Sequence, residues 1–213
     1  MNRAVSNAVS HAARWLAWLA VLCSLWNTTA FAACSGVSPN IVCTSNAGAI
    51  TLNSTTGAAP ATPQTASVYP SSNVVSGVSG TITTVQVRLN GLTHSWAYDL
   101  NMLLVSPGGQ TFVFWSNVGP SNGGQVVLNN ANFTLSDSAA SMLPQGTPAA
   151  GTYRPANYGN SADTWPAPAS ITANGSNSAA PFGTGTFASR FNGLSPNGTW
   201  QLYITVTGNP DTG

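Results

Sequence analysis

The residues best suited to chemistry lie in one stretch, 92–109 (LTHSWAYDLNMLLVSPGG), where His94 and Asp99 border an apolar run. The chain has only two histidines and four acidic residues, so this stretch concentrates much of its reactive chemistry. The run after Asp99 has the composition of a buried strand, and Pro107 and Gly108 predict the turn that ends it. An aspartate at the mouth of a strand can accept N–H groups from a loop or bind a hard cation, and the pattern leaves both open.

These residues do not form a recognisable catalytic pattern. The order Asp, His, Ser of a subtilisin triad is excluded because no aspartate precedes His94. An order of the chymotrypsin type, through His94, Asp99 and Ser195, puts the first two beside one strand and the serine in a GLSPNG turn without an oxyanion hole. A zinc site lacks ligands, since the chain has no Glu and no HExxH motif, and no aspartate spacing favours a glycosidase pair. The sequence therefore favours a non-catalytic chain.

Residues 1–32 have the features of a secretory signal: Arg3 and Arg14 come first, an apolar run follows, and Ala-Phe-Ala ends the segment. We expect cleavage after Ala32 and a secreted, extracellular protein. Lipidation of Cys34 is the alternative. Without the leader, three basic residues stand against four acidic ones, and neither Lys nor Glu occurs. This charge pattern argues against a nucleic-acid partner, and no membrane span is expected in the mature chain.

The two cysteines that remain after the leader, Cys34 and Cys43, predict a disulfide that closes a small loop. The bridge would fasten an N-terminal arm, 33–79, which is rich in Ser, Thr, Ala and Pro and has room for one or two edge strands. The rest of the chain, 80–213, is predicted to be one β-domain.

Alternating apolar and polar residues are the main secondary-structure signal. In 199–206 the pattern puts four apolar side chains on one face of a strand: Trp200, Leu202, Ile204 and Val206. Residues 81–89 alternate in the same way, and no segment has a helical apolar period over three turns. Further strands are predicted at 98–105, 111–115, 125–128 and 132–135. The fold class is therefore all-β.

The long segment 136–185 is rich in Pro and Gly and has few apolar runs, with one short strand predicted near 170–173. Its three large rings, Tyr153, Tyr158 and Trp165, have two interpretations. They can pin the segment to the domain, or they can present an aromatic surface to sugars.

Several motifs together resemble the P domain, also called the P/Homo B domain, of subtilisin-like proprotein convertases and many secreted bacterial proteins. They occur in this order: HSWAYDLNMLLVSPGGQT from His94, LSDSAA around Asp137, GTYRP at 151–155, SRFNGLSPNGTWQLYI at 189–204 and the terminal PDTG. The resemblance covers 77–213. It implies a jelly-roll-like antiparallel β-sandwich, similar to galactose-binding domains, whose last strand is missing from this sequence. It also implies calcium binding at the matching acidic residues, Asp99, Asp137 and Asp211.

Three functions follow from these observations. The first is a secreted, non-catalytic module that stabilises or contacts a partner domain or protein. The second is an accessory domain that works beside a subtilisin-like serine endopeptidase, which performs the proteolysis. The third is an adhesion or carbohydrate-binding module that meets a cell-surface component.

Overall fold

The computed structural model describes residues 33–36, 40–44, 50–52, 63–120, 124–159, 162–169, 171–173 and 175–207. The predicted signal segment 1–32, Asp211 and the chain end therefore lie outside the described residues. Within them, no helix is long and apolar enough to cross a membrane.

The described residues are built mainly from short strands. In chain order they are β1 (Ala33–Ser35), β2 (Val42–Thr44), β3 (Gln64–Thr65), β4 (Ser71–Val75), β5 (Gln86–His94), β6 (Leu100–Val105), β7 (Thr111–Ser116), β8 (Leu128–Ser136), β9 (Gly151–Tyr153), β10 (Ala156–Asn157), β11 (Asp163–Thr164), β12 (Thr172–Ala173) and β13 (Gly198–Val206). One short helix, α1 (Phe187–Phe191), and two 3-10 turns, Ala97–Asp99 and Gly175–Asn177, complete the described elements.

The largest sheet has the order β10-β7-β6-β13, and both β3 and β4 pair with the far side of β13. All its pairings are antiparallel except that of β10 with β7. A second sheet has the order β5-β8-β9. Two strands from the region 33–79 thus form an edge of the main sheet.

The main core lies between these two sheets. Alternation along β13 directs Ile204 and Val206 into it and leaves Trp200 and Leu202 packed at its margin. Phe133 of β8 meets Trp115 of β7 with their ring centroids 5.1 Å apart, so both sheets contribute large side chains. The predicted all-β sandwich is confirmed.

The main sheet also buries part of its opposite face, which we call the outer face. Leu103, Val113 and Tyr203, from β6, β7 and β13, form an apolar cluster there with Trp165 and Ala173. Strands β11 and β12 pair as a small antiparallel hairpin, the outer hairpin, which brings these last two residues onto the sheet. The strand predicted near 170–173 is β12.

The boundaries of several predicted elements were wrong. The strand predicted from residue 98 starts at Leu100, because Ala97–Asp99 form a 3-10 turn. The strand predicted at 132–135 lies within β8, which begins at Leu128, so residues 125–127 of the other predicted strand precede β8 and are not in a strand. Helix α1 was missed because five residues are too few to show a helical period, although Thr186 and Ser189 form a capping box at its start.

The predicted disulfide is confirmed. Cys34 and Cys43 are bonded, and they are register partners in the small sheet formed by β1 and β2. The bridge therefore fixes a two-stranded unit outside both larger sheets.

Candidate functional site

His94 ends β5 as a buried residue, 0% exposed. Its Nδ1 lies 2.8 Å from Trp96 O and 3.1 Å from Trp96 N, so the ring holds the following turn in either tautomer. Ala97, which follows Trp96, is also held in place, since its N–H donates to Val126 O at 3.0 Å. The imidazole thus serves the connection between β5 and β6.

Asp99 and Asp137, the two described aspartates named from the sequence, occupy separate surroundings. The backbone oxygen of Asp99 accepts Thr207 N at 2.9 Å, which ties the start of β6 to the end of β13. The carboxylate of Asp137 accepts Phe187 N at 3.1 Å and Ala188 N at 2.7 Å, and so caps helix α1. Among the described residues no group of three or more His, Cys, Asp or Glu side chains could hold a metal ion. Calcium binding at these positions stays a prediction.

Pro107 and Gly108 form the turn between β6 and β7, as predicted. The hairpin closes with Ser106 N donating to Gln110 O and Gly109 N donating to Ser106 O, both at 2.9 Å. Pro107 also lies against the start of β13, since a Cβ added to Gly198 would be 2.6 Å from the Cβ of Pro107. The turn therefore anchors a third strand.

Trp200 continues this junction on β13. Its Nε1 donates to Pro196 O at 2.9 Å, and its ring lies 5.3 Å from that of Phe191 in helix α1. The tryptophan joins the strand to the helix and the loop before it. Like Pro107, it has a structural role.

The three rings of the long segment are used for packing. Trp165 is buried in the outer cluster at 4% exposure, and the hydroxyl of Tyr158 donates to Leu143 O at 2.6 Å. The ring of Tyr153 is 6.3 Å from that of Phe133. The prediction that they pin the segment is confirmed, and we base no sugar site on them.

A polar group that the sequence analysis missed lies on the outer face. Four residues that are register partners across neighbouring strands form what we call the outer polar row: Thr205 of β13, Asn101 of β6, Ser116 of β7 and Asn157 of β10. Each is at most 4% exposed, which is unusual for polar side chains side by side. The row continues the outer apolar cluster toward one end of the sheet.

Asp163 of the outer hairpin covers this row. Its Oδ1 accepts from Ser116 Oγ at 3.1 Å, and its Oδ2 accepts from Asn157 Nδ2 at 2.9 Å. Burial raises the pKa of this carboxyl to about 6, and the two hydrogen bonds lower it only in part. The two hydrogen bonds therefore replace only part of the hydration that the carboxylate loses on burial.

Asn157 fixes the position of that carboxylate. Its Nδ2 also donates to Ser178 Oγ at 2.7 Å, and its Oδ1 accepts Gly159 N at 2.7 Å. The two side-chain amide protons of Asn157 are thus donated to Asp163 and Ser178. A sequence signal for the row existed, since Asn101 interrupts an otherwise apolar strand, but nothing in the sequence joined it to Asp163.

Comparison with known proteins adds no assignment: no family model, no curated protein and no solved structure matches the chain.

Proposed function

We propose that the chain is a secreted, non-catalytic β-sandwich module of the P-domain type, which acts by contact with a partner domain or protein. One observation carries the proposal. The residues behind the resemblance, among them His94, Pro107 and Trp200, are engaged in contacts that build the fold. Residues used in this way are those of a scaffold, whose function comes from its surface and its stability.

The geometry of the candidate nucleophile supports a non-catalytic role. A histidine that acts as a general base must reach the serine and the substrate, whereas His94 is fully buried. Ser195 is exposed, and its Oγ accepts Asn197 N at 3.3 Å in a turn. The disulfide supports export, because such bonds persist in oxidising compartments.

A protease assay tests this proposal. We expect the purified full chain neither to cleave casein or a panel of fluorogenic peptides nor to react with a fluorophosphonate, because His94, the candidate base, is buried. Ser195→Ala is the matched control. Cleavage or labelling that this substitution removes would overturn the proposal.

The second hypothesis, an accessory domain of a subtilisin-like endopeptidase, rests on the same motifs. The intact mass of the natural secreted product separates it from a free-standing module. A mass well above that of this chain, with an attached domain that reacts with fluorophosphonate, would favour the accessory domain.

A further inference from the structure

The face of the second sheet that points away from the main core is polar. Alternation along β5 and β8 directs their apolar side chains inward, so the residues between them point outward. Arg88 is the register partner of Thr134, which in turn is the register partner of Thr152. Thr134 is half-buried, and the other residues of this face are exposed. We call the following five residues the arginine face: Arg88, Asn132, Thr134, Thr152 and Arg154, the last just beyond the end of β9.

The two arginines give this face its charge. Among the described residues, neither guanidinium has a hydrogen-bond or ion-pair partner. Strands β5, β8 and β9 contain no acidic residue, and the described aspartates, Asp99, Asp137 and Asp163, belong to other elements. The nearest of them in sequence, Asp137, accepts N–H groups of helix α1 with both carboxylate oxygens. The arginine face therefore carries two positive charges and no negative one.

Asn132 adds amide donors to the same face. It lies opposite a β-bulge, where residues 90 and 91 of β5 together face this one residue of β8. Its Oδ1 accepts Gly91 N at 2.8 Å, so the oxygen is turned toward the bulge. Its Nδ2 has no partner among the described residues and is available to an acceptor from outside. Asn130 N donates to Thr93 Oγ1 at 3.0 Å, which ties the two strands together on the other side of the bulge.

This composition suits an anionic, hydroxyl-rich partner. A guanidinium presents its N–H groups in a fixed fork that pairs with a carboxylate through two hydrogen bonds. The amide and hydroxyl groups beside the arginines match the hydroxyls of a sugar chain. A stable protein interface is instead centred on buried aromatic or aliphatic anchors, and the arginine face consists only of Arg, Asn and Thr. Charge complementarity therefore favours an acidic glycan over a protein surface.

We propose that the arginine face binds a polysaccharide that carries carboxylate groups. Arg88 and Arg154 each pair with one carboxylate, and the amide and hydroxyl groups between them bind the sugar hydroxyls. The Cα atoms of the two arginines are two strand spacings and two residues apart, about 12 Å, so a chain that crosses the strands reaches both. This binding activity goes beyond the proposed function, which concerns a partner domain or protein, and the outcome of the protease assay does not affect it.

Calorimetric titration of the full chain with a charged polysaccharide and its neutral counterpart tests the proposal. We expect binding to polygalacturonate at low ionic strength and none to fully methyl-esterified polygalacturonate, which has the same backbone but no free carboxylate. Raising the NaCl concentration from about 10 mM to about 150 mM should weaken binding at least about threefold, because the Debye length falls from about 30 Å to about 8 Å.

Arg88→Gln and Arg154→Gln separate the effect of this face from that of overall charge. Each removes a guanidinium that has no partner among the described residues, so the Tm should stay nearly unchanged while the affinity for polygalacturonate falls about tenfold. Arg190→Gln is the matched control. It removes the same charge from helix α1, where Arg190 Nε donates to Thr111 O of the main sheet, and it should keep the affinity.

Three outcomes would overturn the proposal. The first is no binding of polygalacturonate at low salt by a chain that unfolds cooperatively. The second is an equal loss of affinity in Arg190→Gln, which would show that net charge alone causes binding. The third is tighter binding to double-stranded DNA or to phosphatidylserine vesicles than to polygalacturonate, which would make the partner a nucleic acid or a membrane surface.

Discussion

Burial separates the Asp163 carboxyl from water, and it raises the pKa of this group. The outer hairpin brings it over Ser116 and Asn157, and burial disfavours its charged form. Two neutral hydrogen bonds replace only part of the lost hydration. As a result, the charged form of this carboxyl is less favourable in the folded chain than the neutral form.

This imbalance predicts an unusual pH dependence of the folding stability. The folded chain holds a proton on Asp163 up to a pKa of about 6, whereas the unfolded chain releases it near the ordinary value of 3.8. The contribution to stability is therefore full below about pH 4 and is lost as the pH rises through about 6. We expect wild type to lose on the order of 2 kcal/mol relative to Asp163→Asn between about pH 4.5 and 7.5.

Urea unfolding of both proteins across this pH range measures the difference. Titrating groups common to the two proteins cancel in the comparison. Parallel pH profiles would show that the carboxyl is not desolvated as its contacts indicate.

The β6–β7 hairpin and β13 approach each other closely at Pro107 and Gly198. Gly198 begins β13 with φ +121°, and an added Cβ would be 2.6 Å from Pro107 Cβ. Such a distance is not sustained between real carbon atoms, so one strand must move if the glycine is replaced. Both the left-handed backbone and the missing side chain are therefore required here.

Gly198→Ala should lower the free energy of unfolding by about 3 kcal/mol, the sum of backbone strain and a clash with a rigid ring. Gly77→Ala is the matched control, because Gly77 also has a positive φ, +70°, but an added Cβ meets nothing within 4 Å. It should cost about 1 kcal/mol. Equal losses in urea unfolding would mean that the hairpin moves away freely.

The disulfide is peripheral to the whole molecule. It joins β1 and β2, which form their own small sheet, and neither cysteine belongs to the main core or to the outer cluster. The bridge closes a loop with a sequence separation of only nine. When a bridge that closes a short loop is opened, the unfolded chain gains little conformational entropy.

We therefore expect the double variant Cys34→Ser, Cys43→Ser to fold and to unfold cooperatively, with a loss of about 1–3 kcal/mol. Differential scanning calorimetry measures this. Dithiothreitol should lower the Tm of wild type by a similar amount and leave the variant unchanged. Loss of the cooperative transition in the variant would show that the arm holds the sandwich together.

Local sequence determined the strands and the turn. Alternation along 199–206 set which side chains of β13 enter the main core, since a strand sends successive side chains to opposite faces wherever it pairs. Pro107 and Gly108 set the hairpin, because their allowed backbone angles act within four residues. The pairing of Cys34 with Cys43 followed from the scarcity of cysteine.

Only the tertiary structure decided what the polar residues in these strands do. Asn101 and Ser116 look the same in sequence whether the outer face meets water or is covered, and the cover comes from Asp163, 47 positions beyond Ser116. Likewise, nothing near Asp137 in the sequence shows that helix α1, which starts 50 positions later, directs two N–H groups at its carboxylate. A carboxylate takes its role from its neighbours, and in this chain those neighbours come from distant strands that only the completed sheet brings together.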